Sequence, residues 1–203
     1  MIGPLGVLNC RVARVRASPR MKLSRTFAKR SNSSFLNSFL TSKAEIVAEI
    51  KTAFAGVKLD DGISLEQTKI IDNYGRDCSV ERFASLPLSE ETADWTRIPA
   101  SVLDDADCLS HFDRKGFKYY IPALMLRLLD RYDPMSMMTI GTLSILYPTT
   151  ETWSYLYTLL SLEQSQAVAR FLKSLPDLVE LDEEDRTIVE RALREHWSEY
   201  ISE

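Results

Sequence analysis

Between residues 42 and 56 the hydrophobic positions recur with the spacing of an α-helix. The large apolar side chains of this segment share one face of such a helix: Ile46, Val47, Ile50 and Phe54. Ser42 precedes Glu45 by three residues, a spacing that lets the two side chains cap the first turn reciprocally. Gly56 follows where a helix end favours a residue that tolerates a positive φ angle. The pattern therefore predicts a helix that starts at Ser42 and ends before Gly56.

The last third of the chain predicts two further amphipathic helices. A capping box from Ser161 to Gln164 starts the first, whose apolar stripe comprises Ala167, Val168, Phe171, Leu172 and Leu175. Asp182 is placed to cap the second helix. The buried face of that helix comprises Ile188, Val189, Ala192, Leu193, Trp197 and Ile201.

The middle of the chain has a less regular pattern. Residues 63–71 are too short and too mixed to assign. A turn at Gly116 leads into a strongly apolar helix, and Pro122 is expected in its first turn. Residues 135–146 favour a helix. Around Trp153 the apolar residues fit both the alternation of a strand and the spacing of a helix. We expect a short extended or strand segment within 153–160.

Together these elements predict a mainly α fold in two parts. Residues 43–203 form a single acidic multi-helix domain, and residues 1–42 form a disordered, Ser- and Arg-rich basic leader. A body of this size buries roughly 70% of the surface of its unfolded chain, so it needs neither a metal nor a disulfide. The three cysteines lie far apart and indicate a reducing compartment. No apolar stretch is long enough to span a membrane.

The net charge of −4 conceals two unlike regions. Residues 1–44 hold nine Lys and Arg and no acidic residue, which leaves 16 basic against all 29 acidic residues and a net charge of −13 for the remainder. That body would repel a phosphate backbone, so we expect no nucleic-acid partner. The leader is open to three interpretations: a disordered tail or mis-called start, an organelle (mitochondrial) targeting segment, or an arm for nucleic acid or acidic membrane. The corresponding compartments are the cytoplasm and, after removal of the leader, an organelle.

Residues 108–113 are the one place where a thiol, an imidazole and a carboxylate crowd together. Cys108, His111 and Asp113 are the residue types of a nucleophile, a base and an orienting group. Such a cluster also arises by chance, and catalytic partners usually converge from distant segments. No phosphate-binding glycine loop or zinc spacing is present, and we expect no cofactor and no metal. The aspartates at 104, 105 and 107 lack the pattern of a calcium loop and favour a solvated loop.

Aromatic and methionine side chains are abundant enough to form a binding surface. The candidate binding residues are Trp95, Tyr119, Tyr120, Trp153 and Tyr155, because such rings combine apolar area with a polar edge. Methionines add adaptable contact surface, and the candidates are Met125, Met135, Met137 and Met138. The competing interpretation is that these residues form the core, where such side chains are often buried.

One set of residues resembles a known family. The set consists of Trp95 and Ile98, Leu109, Phe112, Gly116-Phe117, Tyr119 to Ala123, Leu160 to Gln164, Ala167-Val168 and Phe171-Leu172. It is similar to an uncharacterised bacterial family, domain-of-unknown-function family 6714, over residues 43–200. The resemblance implies a domain boundary near residue 43 and no activity or catalytic residues.

These observations leave the biochemical function unknown and favour one hypothesis over two others. The first is a small non-catalytic interaction or accessory protein that acts through an aromatic-lined surface. The second is an enzyme of unknown reaction that uses Cys108, His111 or Asp113. The third is an acidic immunity-type inhibitor of a basic protein, whose association would weaken with salt.

Overall fold

The structure is a computed structural model that describes residues 33–74, 93–147 and 154–201. All regular structure in these ranges is helical, which confirms the predicted mainly α class. The α-helices in the described ranges are α1 (Ser33–Ala53), α2 (Leu65–Tyr74), α3 (Ala100–Asp104), α4 (Arg114–Asp130), α5 (Met137–Leu146), α6 (Leu162–Leu178) and α7 (Glu183–Glu195). Short 3₁₀ helices lie between or after them: Trp95–Arg97, Leu109–His111, Tyr155–Leu159 and Trp197–Tyr200.

Helix α4 is the centre of the domain. It contacts α1, α3, α5 and α6, and every residue from Tyr119 to Met125 is buried. A helix that is apolar on all sides has no solvent-facing stripe, because its neighbours cover the whole circumference. The amphipathic helices α6 and α7 pack their apolar stripes around this core. The stripe predicted for the last helix extends too far, since α7 ends at Glu195 and Trp197 lies in the 3₁₀ helix that follows. None of the described helices is long and apolar enough to cross a membrane.

The start of α4 differs from the prediction in two ways. Gly116 lies inside the first turn of α4 and does not form a turn before it. Asp113 caps the helix, with its Oδ1 accepting a hydrogen bond from the Gly116 N–H at 2.8 Å. Pro122 lies well inside α4 rather than in its first turn. Proline at this position removes one intrahelical hydrogen bond, and burial among apolar neighbours outweighs that loss.

Helix α1 begins earlier than predicted. Its first residue is Ser33, so Ser42 lies within the helix and cannot act as its N-cap. Residues 33–42 contain no glycine or proline to stop the helix. The predicted end is confirmed, since Gly56 adopts a φ angle of 73° just beyond α1. Most of the predicted leader, residues 1–32, lies outside the described residues.

Helix α2 occupies the segment that the pattern left unassigned. The tetrapeptide Ser-Leu-Glu-Gln at residues 64–67 is the same as the capping box at residues 161–164. Gln67 N–H donates to Ser64 Oγ at 3.2 Å, and Ser64 N–H donates to Gln67 Oε1 at 2.8 Å. The tetrapeptide therefore starts a helix at both places by the same reciprocal bonds.

The extended or strand segment expected within residues 153–160 is wrong for the part that the structure describes. Tyr155–Leu159 is a 3₁₀ helix, and Trp153 lies outside the described residues. Tyr157 turns into the core, where its hydroxyl donates to the Ile145 carbonyl at 2.6 Å. Burial of Leu156 and Tyr157 together favours a tight helical turn, because a strand would place them on opposite faces.

Side chains from distant parts of the chain bond the last carbonyls of three helices. The donors and acceptors are Gln164 Nε2 to Ala53 O (3.1 Å) at the end of α1, Lys43 Nζ to Leu129 O (2.8 Å) at the end of α4, and Trp197 Nε1 to Leu146 O (2.7 Å) at the end of α5. These carbonyls have no partner within their own helix. Tertiary contacts therefore complete the helix ends.

Candidate binding clefts

Each residue of the predicted catalytic cluster is either buried or bonded to another part of the fold. Cys108 is buried, with 6% of its surface exposed. His111 Nε2 contacts Asp72 Oδ1 at 3.2 Å. Asp113 Oδ1 accepts hydrogen bonds from the N–H groups of Ile63 and Gly116 at 2.9 and 2.8 Å, respectively. The carboxylate thus orients a loop and a helix start rather than the imidazole.

The five candidate aromatic residues do not form one surface. Trp95 is 3% exposed, and its indole N–H donates to the Phe54 carbonyl at 2.8 Å. Tyr119 and Tyr120 are fully buried and contact each other edge to face, with ring centroids 4.9 Å apart. Tyr155 is 44% exposed, and Trp153 lies outside the described residues. Three of the five are therefore core residues, because their rings fill the space around α4.

Five large apolar side chains in the described ranges are exposed, and two of the five line clefts of opposite charge. They are Met135, Met137, Tyr155, Leu159 and Leu162. Met137 lines an acidic cleft between α3 and α5, and Met135 lies two residues before it in the chain. The other three belong to or flank the 3₁₀ helix whose end, Leu159, lines a lysine-containing cleft.

The acidic cleft has a volume of about 430 Å³ and is lined by two segments of the chain. One runs from the last residue of α3 into the loop after it, and the other runs from the residue after α4 into the start of α5. Its lining comprises Asp104, Asp105, Asp107, Arg131, Asp133, Ser136, Met137 and Met138. Met138 is buried, whereas Met137 and its neighbour Met135 are 45% and 57% exposed. The cleft therefore combines carboxylates with exposed, flexible apolar side chains.

Asp104 is the carboxylate of this cleft that forms ion pairs within the described ranges. The Arg127 guanidinium donates from Nε to Oδ1 at 2.7 Å and from Nη2 to Oδ2 at 2.6 Å. Arg131 Nη1 lies 3.5 Å from the same Oδ2. The hydrogen bonds from Arg127 hold the pKa of Asp104 below its usual value. Asp104 therefore stays ionised at neutral pH and links α3 to α4.

The other three aspartates of the acidic cleft keep their charge unpaired. Within the described ranges, none of Asp105, Asp107 and Asp133 lies within ion-pair distance of a cationic side chain. Asp133 Oδ1 accepts one hydrogen bond, from the Met135 backbone N–H at 2.9 Å. Among the described residues, no group of three or more His, Cys, Asp and Glu is arranged to hold a metal ion.

The lysine cleft has a volume of about 500 Å³ and lies at the other end of α4. Its lining comprises Ala55, Gly56, Val57, Lys58, Asp60, Lys115, Lys118, Leu159 and Gln164. Lys115 forms an ion pair with Asp61, which lowers the pKa of that carboxyl group through a hydrogen bond. Lys118 Nζ donates to the Leu159 carbonyl at 2.9 Å. Two of its three lysines are thus engaged with the protein itself.

The loop behind the lysine cleft approaches α4 without side chains in between. A Cβ on Gly116 would overlap the Ile63 carbonyl oxygen, and a Cβ on Gly62 would lie 2.7 Å from the Gly116 nitrogen. Only glycine allows this approach at both positions. The contact holds the loop that carries Asp60 and Asp61 against the start of α4.

The chain matches a family model described as a family of unknown function, DUF6714, over residues 42–201. Because the match spans most of its 203 residues, the chain belongs to this family. Membership confirms the resemblance predicted for residues 43–200. No curated protein and no solved structure matches the chain. The family description assigns no activity, so a functional proposal depends on the geometry of the clefts.

Proposed function

We propose that the domain is a non-catalytic protein-binding module that holds a basic segment of a partner protein in the acidic cleft. The observation that carries this proposal is the combination of carboxylates and exposed methionine in the acidic cleft. Four aspartates line a cleft of about 430 Å³ together with the exposed side chain of Met137, and Met135, two residues before Met137, is exposed as well. A partner segment with cationic and apolar side chains complements both features.

The charge of the acidic cleft supports a cationic partner. Its lining carries four carboxylates and one guanidinium, and three of the carboxylates have no ion pair in the described part of the chain. Carboxylates that the fold does not use attract a basic partner and speed its approach. The body around the cleft carries a net charge of −13, which extends the same attraction over a longer range.

The methionines support a protein partner over a simple cation. Methionine has an unbranched, polarizable side chain that adapts to differently shaped apolar groups. Met135 and Met137 leave apolar area in water, and covering it stabilises a complex by roughly 25 cal/mol for each Å². An acidic inhibitor that neutralises a basic protein is one form of this function.

The contacts of the predicted catalytic residues support a role without catalysis. A nucleophile needs a base within hydrogen-bond reach and a group that orients the base. Here Asp113 caps α4 and bonds the loop at Ile63, while His111 contacts Asp72. Cys108 is buried, away from the solvent from which a substrate would approach.

Direct binding measurements with a defined peptide test the proposal. The probe is a fluorescent helical peptide of about four turns with lysine on one face and leucine on the other, a cation-and-apolar pattern typical of helix-in-groove ligands. A second peptide carries glutamate in place of lysine. We expect the basic peptide to bind, its affinity to fall at higher salt, and the acidic peptide to show no binding by fluorescence anisotropy.

Paired variants locate the binding site. Asp105→Asn with Asp107→Asn removes two cleft charges, and we expect about a three- to tenfold loss of affinity, since each exposed ion pair contributes up to about 1 kcal/mol. The control, Asp177→Asn with Glu180→Gln, removes two exposed carboxylates outside the cleft. An equal loss in both double variants, or equal binding of both peptides, would contradict the proposal.

A further inference from the structure

We infer that Arg131 is a resident cation of the acidic cleft, which a basic side chain of the partner displaces from Asp104. The inference rests on the proposed function and adds a residue that sets the affinity. Arg131 lines the cleft, and its guanidinium is the one cationic group in that lining. It therefore occupies the position that a partner's lysine or arginine would take.

The two arginines on Asp104 are held very differently. Arg127 is 13% exposed and donates two short hydrogen bonds to Asp104 and a third, from Nη1, to Asp130 Oδ2 at 3.0 Å. Arg131 is 68% exposed, and its nearest approach to the carboxylate is 3.5 Å, beyond ordinary hydrogen-bond length. Arg127 is thus a fixed part of the fold, whereas the Arg131 side chain can leave at little cost.

The backbone keeps Arg131 close to the cleft even when its side chain moves away. Arg131 is the first residue after α4, and its N–H donates to the Arg127 carbonyl at 2.8 Å. A tethered side chain competes at a high effective concentration, so even a weak ion pair opposes an incoming cation. Displacement of Arg131 therefore lowers the apparent affinity for every basic ligand.

Removal of the resident cation should strengthen binding. With the basic peptide described above, we expect Arg131→Gln to bind about two- to fivefold more tightly than the wild type, as the loss of an exposed ion pair implies. Arg131→Lys retains a cation and should bind as the wild type does. Binding is measured by fluorescence anisotropy, and the midpoint of urea unfolding shows that each variant is folded.

A matched control separates competition from a change in net charge. Arg170 is an exposed arginine on α6 that pairs with Glu49 at 3.2 Å, outside the acidic cleft. Arg170→Gln changes the net charge by the same amount, and we expect it to leave the affinity within about 1.5-fold, because salt screens distant charges. Equal tightening by Arg170→Gln and Arg131→Gln would overturn the inference.

The remaining outcomes distinguish this inference from the proposed function. Binding by the wild type with no tightening in Arg131→Gln overturns the role of Arg131 and leaves the acidic cleft as the binding site. Tightening in both Arg131→Gln and Arg131→Lys also overturns it, because the lysine side chain still supplies a competing charge. Absence of binding by the wild type and by Arg131→Gln overturns both.

Discussion

The acidic cleft and the lysine cleft have similar volumes, and exposed apolar side chains lie beside both, yet their charges serve different purposes. In the lysine cleft, Lys115 pairs with Asp61 and Lys118 bonds the Leu159 carbonyl. In the acidic cleft, Asp104 is the carboxylate that takes part in an ion pair within the described part of the chain. Two of the three lysines of the lysine cleft therefore hold segments of the protein together, whereas three of the four aspartates of the acidic cleft form no ion pair among the described residues.

This difference shows why the sign of a charged surface is a poor guide to function. Three lysines in one cleft suggest an anion site until their partners are counted. A charge that already has a protein partner must give up that contact before it can bind a ligand, and the ligand gains correspondingly less. Charges that form no ion pair in the described part of the chain are the better guide, and in the acidic cleft these are Asp105, Asp107 and Asp133.

The largest expected effect concerns the loop behind the lysine cleft. Gly116→Ala places a Cβ against the Ile63 carbonyl oxygen, and we expect it to lower the free energy of unfolding by about 3 kcal/mol. Gly141→Ala on α5 is the control, because the atoms nearest to its Cβ belong to the Leu109 side chain and lie at least 3.1 Å away. We expect that control to change stability by less than about 1 kcal/mol in urea denaturation. Equal effects of the two substitutions would show that the loop contact is unimportant.

The next prediction separates the two kinds of carboxylate in the acidic cleft. Asp104→Ala leaves the largely buried Arg127 without two of its hydrogen bonds, and we expect a loss of about 2 kcal/mol. Asp107→Ala removes an exposed side chain that has no ion pair in the described ranges, and it should change stability by less than about 0.5 kcal/mol. Urea denaturation of both variants measures the difference. A similar loss in both would mean that Asp107 also supports the fold.

The smallest expected effect is a dependence on pH. The pKa of Asp104 is lowered in the folded protein by Arg127, so the unfolded chain takes up a proton more readily as the pH falls. The stabilisation is therefore complete well above pH 3.8 and is lost as the pH falls through the lowered folded value. The stability difference between wild type and Asp104→Asn should shrink over that range. Asp61→Asn should show a weaker trend, because Asp61 is exposed to solvent.

The sequence predicted those helices whose caps and apolar stripes depend on neighbouring residues alone. The stripe of α6 and the cap at Asp182 are confirmed, because each depends on residues within one or two turns. Helix α2 carried the same Ser-Leu-Glu-Gln signal as α6, so this helix was predictable from the sequence. The interior position of Pro122 in α4 could not be predicted from the sequence, because it depends on neighbours that cover α4 on all sides.

The acidic cleft could be predicted only in part. The sequence identifies the acidic run at residues 104–107 and the methionines at 135–138 as separate surface features. No local pattern indicates that α4 brings them together or that Arg131 lies between them. Three of the five aromatic candidates are buried in the core. Trp95, Tyr119 and Tyr120 have the composition of a surface site, but the space around α4 requires large side chains.

The bonds from distant side chains to the ends of α1, α4 and α5 have a consequence for cooperativity. Helix ends ordinarily open first, because their last carbonyls have no internal partner. Here the Ala53, Leu129 and Leu146 carbonyls accept bonds from residues at least 51 positions away in the chain. A terminal turn cannot unwind without releasing its remote donor. These helix ends should therefore exchange their amide hydrogens more slowly than helix ends that lack such a bond, since each bond adds about 1 kcal/mol to the free energy of local opening.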